Sequence, residues 1–549
     1  ELDELKKEAT SFKYRPKISI ITPVWNTDEK WLRLAVESAL SQVYDNWELC
    51  IADGRSEKPH VNKVLEECAG ADSRIKVKFL SENKGIAGNS NEALSLATGQ
   101  FVAFLDHDDE LAPFALYEVV RLLNENPELD YIYSDEDKID EKGQRRDPFF
   151  KPDWSPDMFL SCNYLCHLSV IRKSVVDDVG GFRTEYDGSQ DYDLFLRVTE
   201  RIQEGLIAHI PKILYHWRMI PESAALSGEV KSYAYLAAKN ALKDAMRRRG
   251  IGIEEVSEGF CKGVDYRIKY KIRDNPKVSI IIPTKDNVNI LKRCIESILN
   301  TTEYKNYNII IIDNKSVERQ TFEYYRHLTD IPKIKILKFD NEFNFSAINN
   351  YAISTIDSEY ILLLNNDIEI LTSEWMSCML EHAQRKEVGA VGAKLLYPDR
   401  TIQHAGAILG IGGVAGHSHK YFPAFNPGYF CRIQMVQNLS AVTAACMMTK
   451  KSVFEEVGGF DEKNLAIAFN DVDYCLKLRR KDYLIVYTPY AELYHHESLS
   501  RGYEDTPEKQ QRFMREVAYM REKWGNVLDN DPYYNPNLTR DREDFSIRI

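Results

Sequence analysis

The chain predicts an α/β fold built as two tandem copies, each with a mostly parallel, doubly wound sheet flanked by helices. Three observations carry that expectation. Ile18-Ser19-Ile20-Ile21-Thr22-Pro23 returns as Val278-Ser279-Ile280-Ile281-Ile282-Pro283, an offset of 260. Short β-branched apolar runs alternate with stretches of helical spacing. Acidic residues recur at the ends of those runs, where such sheets hold ligands.

Taken in order, the runs at 18–22, 47–52, 75–80 and 101–105 have strand length and strand composition. Trp31-Leu32, Ala35-Val36 and Ala39-Leu40 follow a helical spacing between the first two runs, and Ala93-Leu94 with Leu96-Ala97 follow one later. Strands joined by helices are parallel. The second copy repeats the pattern: Leu49-Cys50-Ile51-Ala52-Asp53 returns as Ile310-Ile311-Ile312-Asp313, and Phe104-Leu105-Asp106-His107-Asp108 as Leu363-Leu364-Asn365-Asn366-Asp367. Gln190-Asp191-Tyr192-Asp193 matches Asn470-Asp471-Val472-Asp473, and Leu214-Tyr215-His216 matches Leu493-Tyr494-His495 at an offset of 279. These offsets are too long for a solenoid and describe one domain used twice. The expected boundaries are an N-terminal extension at 1–15, a first domain at 16–230, a helical linker and crossover at 231–275, a second domain at 276–525 and an irregular tail at 526–549.

Of the 549 residues, 71 are Lys or Arg and 84 are Asp or Glu, a formal charge of −13. That balance argues against a general nucleic-acid binder, whose footprint is basic. It leaves room for acidic small molecules, because a bound metal ion reverses the local field. The ten Cys are scattered with no Cys-x-x-Cys pair, the pattern expected of reduced thiols in the cytoplasm. Glu1 to Lys7 lacks the apolar stretch of a signal peptide, and no apolar run reaches the ~20 residues of a membrane span.

Thr22-Pro23-Val24-Trp25-Asn26 ends the first strand without the glycine-rich turn of a dinucleotide site, and no Gly-Lys-Ser/Thr phosphate loop occurs. The glycine-rich stretch Gly410–Gly416 lies deep in the second copy and reads as a loop. Carboxylates at strand ends remain. Asp53 and Asp313 each close the second strand of their copy, suited either to a base N–H or to an Asx-turn. Asp106-His107-Asp108-Asp109 ends an apolar strand, so its carboxylates must be solvated, paired or metal-bound. Hard oxygen ligands suit Mg²⁺ or Mn²⁺ bridging phosphate oxygens. Asp191 reads either as a functional carboxylate or, with Asp193 and Arg197, as part of helix-face ion pairs. Cys162, Cys166 and His167 have poor spacing for zinc and lack a fourth ligand, so the two cysteines read as core residues. Trp154, Trp217 and Tyr429 suit stacking on sugar rings or plain packing. His417 and His419 lie in a segment peculiar to the second copy.

The ordered set Pro23, Asp53, Asn83-Lys84-Gly85, Asp106-His107-Asp108, Gln190-Asp191-Tyr192-Asp193 and Tyr215-His216 resembles the inverting family 2 glycosyltransferases of GT-A fold. So does the second set: Pro283, Asp313, Asn365-Asn366-Asp367, Val457-Gly458-Gly459-Phe460-Asp461, Phe469-Asn470-Asp471 and His495-His496-Glu497-Ser498. Tandem copies are similar to bacterial enzymes assembling O-antigen or capsule. The resemblance implies that Asp53 and Asp313 hold the nucleotide base beside Pro23 and Pro283. Asp106, with Asn365 at the matching position, lies by ribose and sugar. Asp108 and Asp367 bind Mn²⁺ or Mg²⁺, completed by His216 and His495, and Asp191 and Asp471 are the catalytic bases. Two departures stand out: Asn365 replaces a usual Asp, and Gln190 and Asn470 replace the Glu that often precedes the base.

One general base suffices for inverting transfer, and a cation neutralises the departing nucleoside diphosphate. A glycosidase needs two carboxyl groups, one of them an acid. The expected donors are UDP- or dTDP-sugars, because an Asp carboxylate complements the N3–H of either base. The expected acceptor is a glycan on a lipid carrier, met by a cytoplasmic protein at the inner face of the cell membrane; no nucleic-acid partner is expected. A carbohydrate-binding or scaffold protein with one or both copies inactive is the alternative, favoured by Asn365. Nucleotidyl transfer lacks its glycine-rich opening loop. From Asp108 to Asp191 is 83 residues, but from Asp367 to Asp471 is 104, so the copies are expected to differ where acceptors are read.

Overall fold

The computed structural model describes residues 2–220, 228–497 and 506–548, with the backbone alone between 228 and 232. Ser498 therefore lies outside the described residues. The chain divides into two compact units, Glu1–Trp154 with Cys162–Gly252, and Ser155–Ser161 with Ile253–Ile549.

In the first unit the strands Ile75–Phe79, Trp47–Asp53, Ile18–Val24 and Phe101–Phe104 lie side by side and parallel. The sheet continues through Ser169–Arg172, antiparallel to its neighbours, then Tyr131–Ile139, Ile207–Arg218 and the short Glu110–Leu111. Helices cover both faces, so the central strands read as unbroken apolar runs rather than as alternation. Helix Glu29–Leu40 starts at Asp28, whose carboxylate accepts from Lys30 N at 2.9 Å, and buries Leu32, Ala35, Val36 and Ala39. The segment before the sheet is a helix, Leu2–Ser11, that adds Ala9 to the core.

The second unit repeats the order: Ile334–Lys338, Tyr307–Asp313, Val278–Thr284 and Tyr360–Leu364 are parallel, followed by Cys446–Lys450, Val388–Leu396, Leu484–His495 and Ile368–Ile370. Ile280, Ile282, Ile309 and Ile311 feed the core on one face, and Ile281, Ile310 and Ile312 feed the other. Burying each such side chain stabilises the fold by roughly 1.5–3 kcal/mol. The hairpin Ile253–Glu258 and Tyr266–Tyr270 belongs to this unit, whereas helix Gly228–Arg248 belongs to the first. The residues after 525 form a short helix, Asn526–Asp529, and then a turn-rich segment joined by a bridge between Leu538 and Ile547. Tyr534, Leu538 and Phe545 are buried there. No described helix is long and apolar enough to cross a membrane.

Candidate active sites

Each parallel sheet carries its chemistry at the carboxyl ends of its strands. In the first unit a cleft of about 510 Å³ opens after strand Ile18–Val24, lined by Trp25, Asn26, Lys58, His107 and Asp108 among others. Pro23 and Pro283 occupy equivalent positions, paired with Ala52 and Ile312 across the first two strands of their sheets. Asp53 is buried and accepts from Ser56 N at 3.1 Å and Ser56 Oγ at 2.5 Å, local bonds three residues on that hold the loop after the strand. Asp313, also buried, accepts from Tyr325 Oη at 2.9 Å.

The acidic strand end of the first unit is tightly built. Asp109 is 1% exposed and accepts from Tyr215 Oη at 2.7 Å and Arg218 N at 2.7 Å. Burial, with the charges of Asp108 and Asp106, drives its pKa well up. Arg218 Nε donates to the Asp108 carbonyl at 2.8 Å, and its guanidinium also pairs with Glu110. His167 Nε2 lies 3.7 Å from Asp106, and its Nδ1 lies 3.5 Å from Glu136. Burial disfavours charge on both Asp106 and His167. Their mutual attraction outweighs it, lowering the Asp106 pKa and, with Glu136, raising that of His167.

Asp106, Asp109 and His167 offer ligand atoms all within 4.8 Å of one another, the one such group among the described residues. Two carboxylates and an imidazole, once deprotonated, are a donor set that fits Mn²⁺ or Mg²⁺. His216 is turned elsewhere. Its Nδ1 meets Asp137 Oδ1 at 2.6 Å, and it lines a separate hollow with Glu37, Glu110 and Arg145.

Sheet register explains the difference between the two histidines. Tyr131 pairs with Ile207 and Asp137 with His216 in the first sheet; Ala390 pairs with Ile485 and Leu396 with Tyr494 in the second. By pairing position His216 therefore corresponds to Tyr494, and His495 corresponds to Trp217. The Leu-Tyr-His triplets match in letters but are displaced by one residue, which puts the two imidazoles on opposite faces. The strand before them is exchanged in the opposite sense. Arg172 pairs with Phe101 and Lys450 with Tyr360, so five residues earlier His167 stands where the second unit has Ala445. The imidazole that reaches the acidic strand end thus comes from the segment before Ser169–Arg172 in the first unit, beside the strand end's own His107, and from strand Leu484–His495 in the second.

In the second unit His495 Nε2 lies 3.3 Å from Asp367 Oδ1 and 3.4 Å from the Asn365 amide. Asp367 is buried, and among the described residues its Oδ1 has the His495 ring nearby but no hydrogen bond, leaving a buried carboxylate oxygen of the kind a cation satisfies. Asp109 and Tyr215 have apolar counterparts here, Ile368 and Leu493. His496 instead contacts Glu369 at 2.9 Å.

The two remaining carboxylates open matching helices, Gln190–Thr199 and Asn470–Arg479. Asp191 Oδ2 accepts from Asn163 Nδ2 at 2.8 Å, and burial raises its pKa; His167 opposes that shift and Asp106 adds to it, so Asp191 and the cluster share one electrostatic field. Asp471 accepts from Ala444 N at 3.1 Å and Val472 N at 2.8 Å, and burial raises its pKa too. The next acidic residues are structural: Asp193 pairs with Arg183 and Arg197, and Asp473 with Lys523 and Trp524.

The model of the family described as glycosyl transferase family 2 matches residues 19–180 and 279–458. The chain belongs to that family. An uncharacterised protein y4gI of Sinorhizobium fredii is 46% identical over 96% of this chain and 58% of its own length. The O-antigen biosynthesis protein RfbC of Myxococcus xanthus is 38% identical over 97% of this chain and 41% of its own. The chain thus spans about half the length of these curated relatives. A chondroitin synthase of Escherichia coli is 28% identical over 43% of this chain and 36% of its own. A solved structure, S. aureus TarS with UDP, overlaps at a TM-score of 0.32 with 20% identity, over 42% of this chain and 71% of that one.

The second family 2 copy carries an insert that its tail holds in place. His404 is fully buried; its Nδ1 lies 2.8 Å from His417 Nδ1, with the rings at 83°. Burial lowers both pKa values, His404 strongly and His417 to about 4, so both rings are neutral near pH 7. From the tail, Glu543 accepts from His417 N at 3.0 Å, and Asp531 accepts from Leu409 N at 2.8 Å and Ser440 Oγ at 2.6 Å. His419, by contrast, is a packing residue: it accepts from Tyr429 N at 3.0 Å and stacks on Phe545. Tyr429 lies against the same ring, and Trp217 sits 6.2 Å from His167.

Proposed function

We propose that the chain is a metal-dependent inverting glycosyltransferase with two active sites, transferring sugars from UDP- or dTDP-sugars to hydroxyls of a growing bacterial surface glycan. The observation that carries this reading is the repeated pairing of a half-buried carboxylate of raised pKa, Asp191 or Asp471, with a strand end that carries carboxylate and imidazole groups. A base of that kind takes the proton of an acceptor hydroxyl as its oxygen attacks the anomeric carbon, and typically contributes 10²–10⁴-fold. Asn163 aims Asp191, and the Ala444 and Val472 amides aim Asp471. Asp106, Asp109 and His167 would hold Mn²⁺ or Mg²⁺ in the first unit, and Asp367 and His495 in the second; Asp108 and His216 remain candidates by family resemblance. The bound ion would neutralise the charge that develops on the departing diphosphate. Asp53, Asp313, Pro23 and Pro283 are proposed to border the nucleotide base, with Trp25 exposed beside it, and Asp106 and Asn365 the sugar. The O-antigen name of one relative supports the glycan acceptor, here taken to be lipid-linked and met at the inner face of the membrane.

A second reading, one catalytic unit beside a degenerate carbohydrate-binding unit, is favoured by Asn365, Ile368 and Leu493 replacing polar groups of the first unit. A screen of nucleoside diphosphate release over UDP- and dTDP-sugars, with Mn²⁺ and with excess chelator, tests the proposal. Release that depends on one donor, an acceptor and the ion supports it. Release unaffected by chelator, or absent with every donor, counts against it.

A further inference from the structure

The insert of the second unit joins the environment of Asp471 to an exposed aromatic face. Asp471 accepts from Ala444 N at 3.1 Å, and the preceding Thr443 N donates to His404 Nε2 at 3.3 Å. With Nε2 accepting, the neutral His404 ring carries its proton on Nδ1 and donates it to His417 Nδ1. His417 must then carry its own proton on Nε2, which has no partner among the described residues. The network therefore fixes one tautomer and leaves one N–H free to donate to a ligand.

Beside that donor stand Lys420, Glu497 and His495, each near enough to act on the charge of His417. Glu497 accepts from Tyr397 Oη at 2.9 Å, and Tyr397 stacks on Tyr421 with centroids 5.4 Å apart and planes at 11°. Tyr421 is 64% exposed, although its backbone is pinned by a hydrogen bond from Tyr421 N to Ile402 O at 2.8 Å. Lys420 Nζ lies 5.1 Å from the Tyr421 centroid, a cation on a long stem. An exposed, stacked aromatic ring next to a neutral N–H donor and a carboxylate has the chemistry of a sugar site: apolar C–H faces lie on the ring, and hydroxyls meet the polar groups.

We propose that His417 and Tyr421 form an acceptor-sugar subsite of the second unit, in which a pyranose of the acceptor glycan lies on Tyr421 and gives a hydroxyl oxygen to His417 Nε2–H. This rests on the glycosyltransferase reading above and adds the residues that read the acceptor. The relay through His404 and Thr443 makes His404 a positioning residue, holding the donor at a fixed distance from Asp471. The tail supports the same geometry through Glu543.

Saturation-transfer NMR on the full chain, with a panel of p-nitrophenyl hexosides and hexosaminides as probes, tests the subsite. At least one pyranoside should bind, with transfer concentrated on the C–H protons of one sugar face. Tyr421→Ala should weaken its Kd by about tenfold, Tyr421→Phe should stay within about twofold, and His417→Ala should weaken it by about three- to tenfold. Because Tyr421 is exposed, its substitution leaves the fold intact. Binding of no panel member, or binding unchanged in both alanine variants, overturns the inference. Failure of the underlying reading shows separately, as a second linkage still formed by Asp471→Asn.

Discussion

Replacing Asp191 by Asn isolates the chemistry of the first unit. The Asn163 amide donates to Asp191 Oδ2 at 2.8 Å and will donate equally to the carbonyl of an introduced amide, so the side chain keeps its place. What is lost is proton acceptance. A positioned base contributes 10²–10⁴-fold, or about 3–5 kcal/mol of barrier, and with geometry preserved the expected loss in kcat is about 10³-fold with little change in donor KM. Wild-type kcat/KM should fall on acidification as Asp191 takes up a proton. Burial raises the Asp191 pKa, so that limb should lie above the ordinary aspartate value of 3.8. The variant should lose the limb. It should also be no less stable at neutral pH: a carboxyl whose pKa is raised by folding contributes most stability below its unfolded pKa and loses it as pH rises through the folded one. The assay is single-linkage turnover against pH in an Asp471→Asn background, which silences the second unit. Turnover within tenfold of that background, or an unchanged acid limb, would refute the assignment of Asp191.

His167→Ala should weaken Mn²⁺ binding to the first unit by tenfold or more, read by titration calorimetry, whereas His216→Ala should change it less because His216 faces Asp137. In the second unit, Asp367→Ala and His495→Ala should each raise the Mn²⁺ concentration for half-maximal second-linkage formation. Asp531→Ala strands the Leu409 and Tyr533 amides and the Ser440 hydroxyl, so denaturant unfolding should show a loss of about 2 kcal/mol or more. Tyr215→Phe removes a hydrogen bond to the buried Asp109 and should cost about 1–3 kcal/mol by the same measurement.

The parallel strands were legible in the sequence because strands covered on both faces must be apolar throughout: the runs at 18–22, 47–52, 75–80 and 101–105 became Ile18–Val24, Trp47–Asp53, Ile75–Phe79 and Phe101–Phe104. The matching helix starts that carry Asp191 and Asp471 were legible from their repeated setting. Helix spacing misled at one end, where Leu96-Ala97 fall in turns after helix Gly85–Leu94. His167 was hidden because its partners, Asp106 and Glu136, come from distant strands and because Cys162 and Cys166 drew attention to an unrelated chemistry. The one-residue displacement between His216 and His495 was hidden too. Letters align the triplets, but facing is decided by pairing with Tyr131–Ile139 and Val388–Leu396, which no local pattern records. The distinction between His417 and His419 likewise depends on tail residues 543 and 545, more than a hundred positions later.

The central claim, two working sites in one chain, is tested most directly by the masses of the glycan products made by Asp191→Asn and by Asp471→Asn from the same donors and acceptor. The account predicts that each variant stops at a different product, each lacking one particular linkage, and that the double variant makes neither. Identical products from the two single variants, or both linkages surviving in either one, would contradict it.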